Sequence, residues 1–109
     1  MPFVAYDLSI EYVRTVAPAL ARVRTRDADL ARQAQRALAS ICLNLAEGSG
    51  RAGPDRRRHF RYARGSFREV RAAFDVAIAL GILAAPPAPE LADRIGALLW
   101  RLKLSARNT

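Results

Sequence analysis

Two interleaved stripes run through residues 57–77 in one shared rhythm. Phe60, Ala63, Phe67, Val70, Phe74 and Ala77 recur at steps of three and four, and Arg57, Arg61, Arg64, Arg68 and Arg71 step by four, three, four and three beside them. Such steps gather side chains on one face of an α-helix. The chain must therefore hold a long helix here, apolar on one face and cationic on the adjoining flank. Arg–Arg neighbours at this spacing each disfavour an isolated helix by roughly 0.2–0.5 kcal/mol, about 1–2 kcal/mol for the four pairs in the row. The apolar face demands a core. The cationic flank demands a counter-charge, and its identity is the functional question.

Size decides whether the rest of the chain can supply that core. The 109 residues suit one domain, 1–109, and a chain of this length buries about two-thirds of its unfolded surface. Hydrophobic residues make up 51%, which excludes a disordered basic tail. The formal net charge of +8 favours polyanionic partners. Seventeen of the eighteen basic residues are Arg, with Lys103 the exception, and alanine occurs twenty-two times. Both biases fit a GC-rich, bacterial genome, which accounts for Arg over Lys but not for the excess of base over acid. Cys42 is the only cysteine, so no intramolecular disulfide can form. No apolar run approaches the ~20 residues that span a bilayer. The segment MPFVAYDLSIEY has neither the basic start nor the apolar core of a secretory signal. A soluble cytoplasmic protein with no membrane partner is expected.

Alanine and leucine dominate at helical spacing, and no segment reads as a strand. A first helix is expected over about 7–24, capped by Asp7, with Ile10, Val13, Val16, Ala17, Leu20 and Val23 inward. Pro18 should kink or split it, because the ring clashes with the carbonyl four residues back. Thr25 or Asp27 caps a second helix to about Glu47, with Ala31, Ala34, Leu38, Ile41 and Leu45 inward and Gly48 as its stop. A glycine-rich loop, Gly48-Ser49-Gly50-Arg51-Ala52-Gly53, follows. Pro54 opens the third helix, Asp55 complements its dipole, and Gly81 ends it after Leu80. Beyond the stiff connector 84–89, a fourth helix runs from about Pro89 to Ser105 with Leu91, Ile95, Leu98 and Leu102 inward; the last residues should fray. Four amphipathic helices with short connections fold most simply as an all-α, up-down-up-down antiparallel four-helix bundle. A three-helix core with the last helix docked on another subunit is the alternative.

The stretch Leu43-Asn44-Leu45-Ala46-Glu47-Gly48-Ser49-Gly50-Arg51 resembles the "SNIAEGxGR" signature of the 23S rRNA intervening-sequence proteins, also called four helix bundle proteins. Downstream, Phe60, Ala63, Gly65-Ser66 and Glu69 resemble that family's "F…A.GS..E" block, and Ala77, Leu80, Gly81 and Ile82 its "A..LG" helix end. The likeness is good over about residues 30–83 and holds in outline elsewhere. It departs from the pattern at Cys42 and Leu43, which replace small or proline residues, and in a short first helix with an internal proline. The resemblance implies a four-helix bundle assembling as a ring, commonly a homopentamer. It also implies kinship with the accessory variability determinant of diversity-generating retroelements, a basic ring protein associated with nucleic acid and a reverse transcriptase. The family has no established general function.

Each motif carries a bland reading beside the functional one. The fourteen steps from Arg57 to Arg71 cover ~21 Å of helix, enough to meet several phosphates. Arg51, Arg56, Arg58 and His59 add charge at one end of the row. Against this stands a solvated or internally paired face: Asp75 is placed to pair with Arg71, and Glu69, without a basic neighbour at helical spacing, should reach another helix or subunit. No sequence-reading signature such as a helix-turn-helix is present. Asn44 and Glu47 share a face near the helix end, and Glu47 precedes Arg51 by four, so both read best as ties for the Gly48–Gly50 loop or an adjoining helix. Phosphate cradling by that loop is the lesser reading, since no Lys-Ser or Lys-Thr follows as in a Walker loop. Gly65-Ser66 sits mid-helix, where glycine costs up to ~1 kcal/mol, and close packing of another helix would offset it. His59 reads as a surface or RNA-contacting residue and Cys42 as a small core residue. Trp100 is divided between core and interface anchor. No Glu-x-x-His exists for a di-iron site, and one His with one Cys makes no zinc site.

The sequence therefore leads to a non-enzymatic, self-associating bundle with no cofactor. It binds RNA or DNA through phosphates, using Arg57, Arg61, Arg64, Arg68 and Arg71 with Arg51, Arg56 and Arg58 in support. The competing class is an adaptor that docks a protein such as a reverse transcriptase. A nuclease is disfavoured, because the carboxylates are too sparse for a two-metal site.

Overall fold

Four helices organise residues 3–106, the part of the chain described by this computed structural model, with side chains placed through residue 104. They are α1 (Val4–Arg26), α2 (Ala28–Ser49), α3 (Gly53–Ala79) and α4 (Pro89–Ala106), and no strand occurs among the described residues. The terminal residues expected to fray, 107–109, lie outside that range.

Asp27 alone separates α1 from α2. Its backbone is extended (φ −151°), its N–H donates to the Val23 carbonyl at 2.7 Å, and its carboxylate accepts the Leu30 N–H at 3.0 Å. One residue thus closes one helix and caps the next, as Ser/Thr/Asp/Asn caps do for orphan N–H groups. Thr25, the other candidate cap, instead donates back to the Arg22 carbonyl at 2.8 Å inside α1. At its other end α1 starts three residues before Asp7, which lies in the first turn and complements the dipole rather than capping. Pro18 neither splits nor shortens this 23-residue helix. It lies on the exposed side, where water can serve the carbonyl that loses its partner.

The apolar stripes meet in one continuous core. All six stripe residues of α3 and all five of α2 are buried, joined by Ala37 and Cys42. In α1 the buried set is Ala5, Ser9, Tyr12, Val16, Ala19, Leu20 and Val23, so Tyr12 replaces Val13 as the central side chain and Ala17 faces out. In α4 the fully buried residues are Ala92, Ile95 and Leu99, with Leu91, Leu98 and Leu102 only partly buried. The consecutive leucines Leu98-Leu99 let that helix rotate by one position without losing apolar contact. Burial pushes the Tyr12 phenol up to about 12, opposed by the nearby Arg71 charge.

Each helix packs on its chain neighbours, and α1 also meets α4. The α2–α3 pair makes the most extensive contact. Both helices bury alanines in the core, and Gly48 abuts Phe60 so tightly that a Cβ there would lie 2.5 Å from the ring. Gly48 is therefore a packing residue inside α2 and not its stop; the helix ends at Gly50, whose N–H turns back to the Glu47 carbonyl at 3.1 Å. The other end of α3 closes as the sequence suggested. Gly81 adopts φ +77°, its N–H reaches the Ile78 carbonyl and that of Ile82 the Ala77 carbonyl, both at 2.9 Å. That is a Schellman close, which glycine adopts without steric penalty.

Candidate nucleic-acid interface

The two flanks of α3 treat their polar side chains differently. Toward α2 runs a closed ladder. His59 Nδ1 meets Asn44 Oδ1 at 3.0 Å, Asn44 Nδ2 donates to the Ser40 carbonyl and hydroxyl at 2.9 and 3.0 Å, and Ser66 Oγ donates to Ser40 Oγ at 2.7 Å. The four side chains are partly buried, so each bond matters more than at an exposed site. Asn44 and Ser66 thus tie α2 to α3, and His59 belongs to that tie rather than to an open surface. Ser40 is the hub and was not singled out in the sequence. Its position four before Asn44 was the only available signal.

Toward α4 lies the arginine row. Arg71 Nη1 donates to Asp93 Oδ1 at 3.2 Å, an acid on α4 and not the expected Asp75. Asp93 comes from the helix packed alongside, while Asp75 lines a small hollow with Arg71, Pro86, Pro87 and Pro89 and forms no ion pair with that arginine among the described residues. Half-buried Arg64 lays its guanidinium carbon 4.9 Å from the centroid of Trp100, and Lys103 Nζ stands 4.7 Å from the same ring. Arg61 and Arg68 are exposed. Among the described residues, Arg61, Arg64 and Arg68 make no ion pair. Arg57 is half-buried at the start of the row, beside a shallow hollow lined by Ala52, Pro54, Asp55, Arg58 and Arg61.

The supporting cations are engaged within the fold. Arg51 bridges Glu47 (3.2 Å) and Asp55 (3.0 Å), the first of these being the pair its spacing predicted. Arg58 pairs with Asp55, and Arg56 donates to the Gly48 carbonyl at 3.3 Å while lying over Phe60. The N–H groups of Gly50 and Arg51 already serve the Glu47 and Gly48 carbonyls, which leaves the loop poorly set to cradle a phosphate. Glu47 ties the loop through Arg51; Asn44 ties the neighbouring helix.

Two expectations fail within the chain. Gly65 is exposed, and a Cβ there would meet nothing within 4 Å, so no helix of this chain packs on it. Glu69 is exposed and makes no ion pair among the described residues. Cys42 is buried, which raises its thiol pKa above the usual value and suits a small core residue. Among the described residues no cluster of His, Cys, Asp and Glu could hold a metal ion, and no helix is long and apolar enough to cross a membrane.

These features define a class: a basic, all-α protein of four helices with a guanidinium row along one of them. The family model of the 23S rRNA-intervening sequence protein matches residues 3–103, so the chain belongs to that family. The match takes in nearly all of the described helical structure, including α1 and α4, where the sequence likeness was weakest. Neither the curated proteins nor the solved structures offer a match to the chain.

Proposed function

We propose that this protein binds RNA or DNA through phosphates and catalyses no reaction on it. The observation that carries this reading is the row Arg61, Arg64 and Arg68, three cations within two turns of α3 that no carboxylate of the described chain neutralises. A folded particle of net charge +8 gains from an external polyanion at that flank. The family's name, which ties it to intervening sequences of 23S rRNA, supports a nucleic-acid setting.

In this reading the helices run up-down-up-down and the chain self-associates as a ring, a homopentamer by family likeness. Support comes from apolar residues left outside. Tyr62, Val76 and Leu80 lie exposed on one face of α3, Leu43 is exposed on α2, and the space over Gly65 is open. A second copy seated there would explain a mid-helix glycine that its own chain does not. Repetition around a ring would join the arginine rows into one basic surface.

Titration of labelled RNA and DNA across a salt series tests the nucleic-acid claim. Affinity should fall linearly in log–log, by a slope of ~0.7 per phosphate met on a single strand. The double reversal R61E/R68E should weaken binding by about 100-fold or more while leaving stability within ~0.5 kcal/mol. Undiminished binding in that variant, or none by the parent in low salt, would leave the adaptor reading, in which the basic flank docks a protein such as a reverse transcriptase.

A further inference from the structure

Trp100 has no role in the core and none in the phosphate contacts just described. It is the only tryptophan, 45% exposed, and it sits on α4 at the middle of the arginine row, against Arg64 with Arg61 and Arg68 one turn to either side. Cations over an indole face interact favourably with its quadrupole. Here two of them hold an exposed ring in place, where burial would otherwise be the stable outcome for so large an apolar group. Leu104, 43% exposed, continues the same side of α4 one turn further on.

We infer that the α3–α4 flank is a track for single-stranded nucleic acid, with Trp100 as the platform on which a base stacks while the arginine row meets the phosphates. The inference rests on the nucleic-acid reading above and adds the strandedness. A phosphate-binding row alone serves duplex and single strand alike. An exposed ring flanked by cations does not: in a duplex the base faces are stacked on one another, whereas a single strand offers a π-face at every nucleotide. Lys103 is the movable member of the cluster. Its ammonium rides on a flexible four-carbon stem, so an arriving base displaces it from the ring toward a phosphate. Arg64 is half-buried and keeps its place, orienting the indole before the base arrives. Because any base can stack, this track reads no sequence.

The single tryptophan is its own reporter. Its emission should be followed with three probes of equal length: a single-stranded oligothymidylate, an abasic sugar-phosphate strand, and a duplex. Labelled strands should give the dissociation constants in parallel. Quenching is expected with oligothymidylate only. Trp100→Ala should weaken that strand by about 5- to 100-fold and leave the abasic strand and the duplex within two-fold. Trp100→Phe, which keeps a ring in a half-exposed position, should recover most of the loss. Binding of oligothymidylate without quenching overturns the platform and leaves the nucleic-acid reading standing; so does an equal loss on the abasic strand in the alanine variant. Failure of all three probes to bind in low salt overturns both.

Discussion

α3 shows one helix with two differently finished sides. On its α2 side His59, Asn44, Ser40 and Ser66 all find partners inside the chain, and the Phe60 ring lies close enough to Gly48 for glycine to be required. On its α4 side Arg64 meets an indole and Arg71 an aspartate, while Arg61 and Arg68 are exposed and make no ion pair among the described residues. The first side spends its polarity on joining two helices. The second keeps unneutralised charge, and unneutralised charge on a folded surface is available to something else. A polar residue's role therefore depends on which side of its helix it occupies, and residue type alone does not reveal it.

Three substitutions set the two sides against each other, in decreasing order of effect. Gly48→Val should be the most damaging. Its branched carbon would enter the Phe60 ring, and overpacking of this kind costs about 1–3 kcal/mol, which denaturant unfolding would show as a lower midpoint at unchanged slope. A neutral result would mean that the α2–α3 contact is looser than described. Asn44→Ala should come next, at about 1–2 kcal/mol, because it strands the partners it bridges in a partly buried seam. Comparison with His59→Ala and the double variant should reveal coupling between the two sites; additive losses would dissolve the ladder into separate contacts. Smallest, and opposite in sign, is Gly65→Ala. With nothing within 4 Å of its Cβ, it should raise stability of the isolated chain by about 0.5–1 kcal/mol. If light scattering finds the parent oligomeric and this variant monomeric, Gly65 lies in the subunit interface; unchanged assembly would remove that face from the ring.

Legibility differed from helix to helix for physical reasons. In α3 the apolar stripe is narrow and aromatic, so the periodicity found every member of its inward face except Ala73. α2 was nearly as clear, although Gly48 misled: near a helix end a glycine looks like a stop, and only the Phe60 ring across from it reveals a packing role. In α1 a tyrosine and a buried serine belong to the inward face. Both types are common on surfaces, and a pattern of Val and Ile drew attention one position away. In α4 the apolar residues cover too much of the circumference for spacing to choose among them. The site divided in the same manner. Glu47–Arg51 was readable because both partners lie on one stretch of chain. Arg71–Asp93, Arg64–Trp100 and Ser40–Ser66 were not, since each joins residues from different helices.

Composition and periodicity determined the all-α class, the helices with ends good to a few residues, the inward faces of α2 and α3, and an excess of positive charge lying along one flank. These are local properties, set by backbone geometry and by the burial of apolar side chains. Beyond local pairs such as Glu47–Arg51, tertiary structure alone decided which cations find a partner on another helix. Partners for an arginine, a histidine or an indole come from whichever helix packs alongside. That choice follows from how four faces rotate to fill one core, and it leaves no mark in the spacing of any single helix.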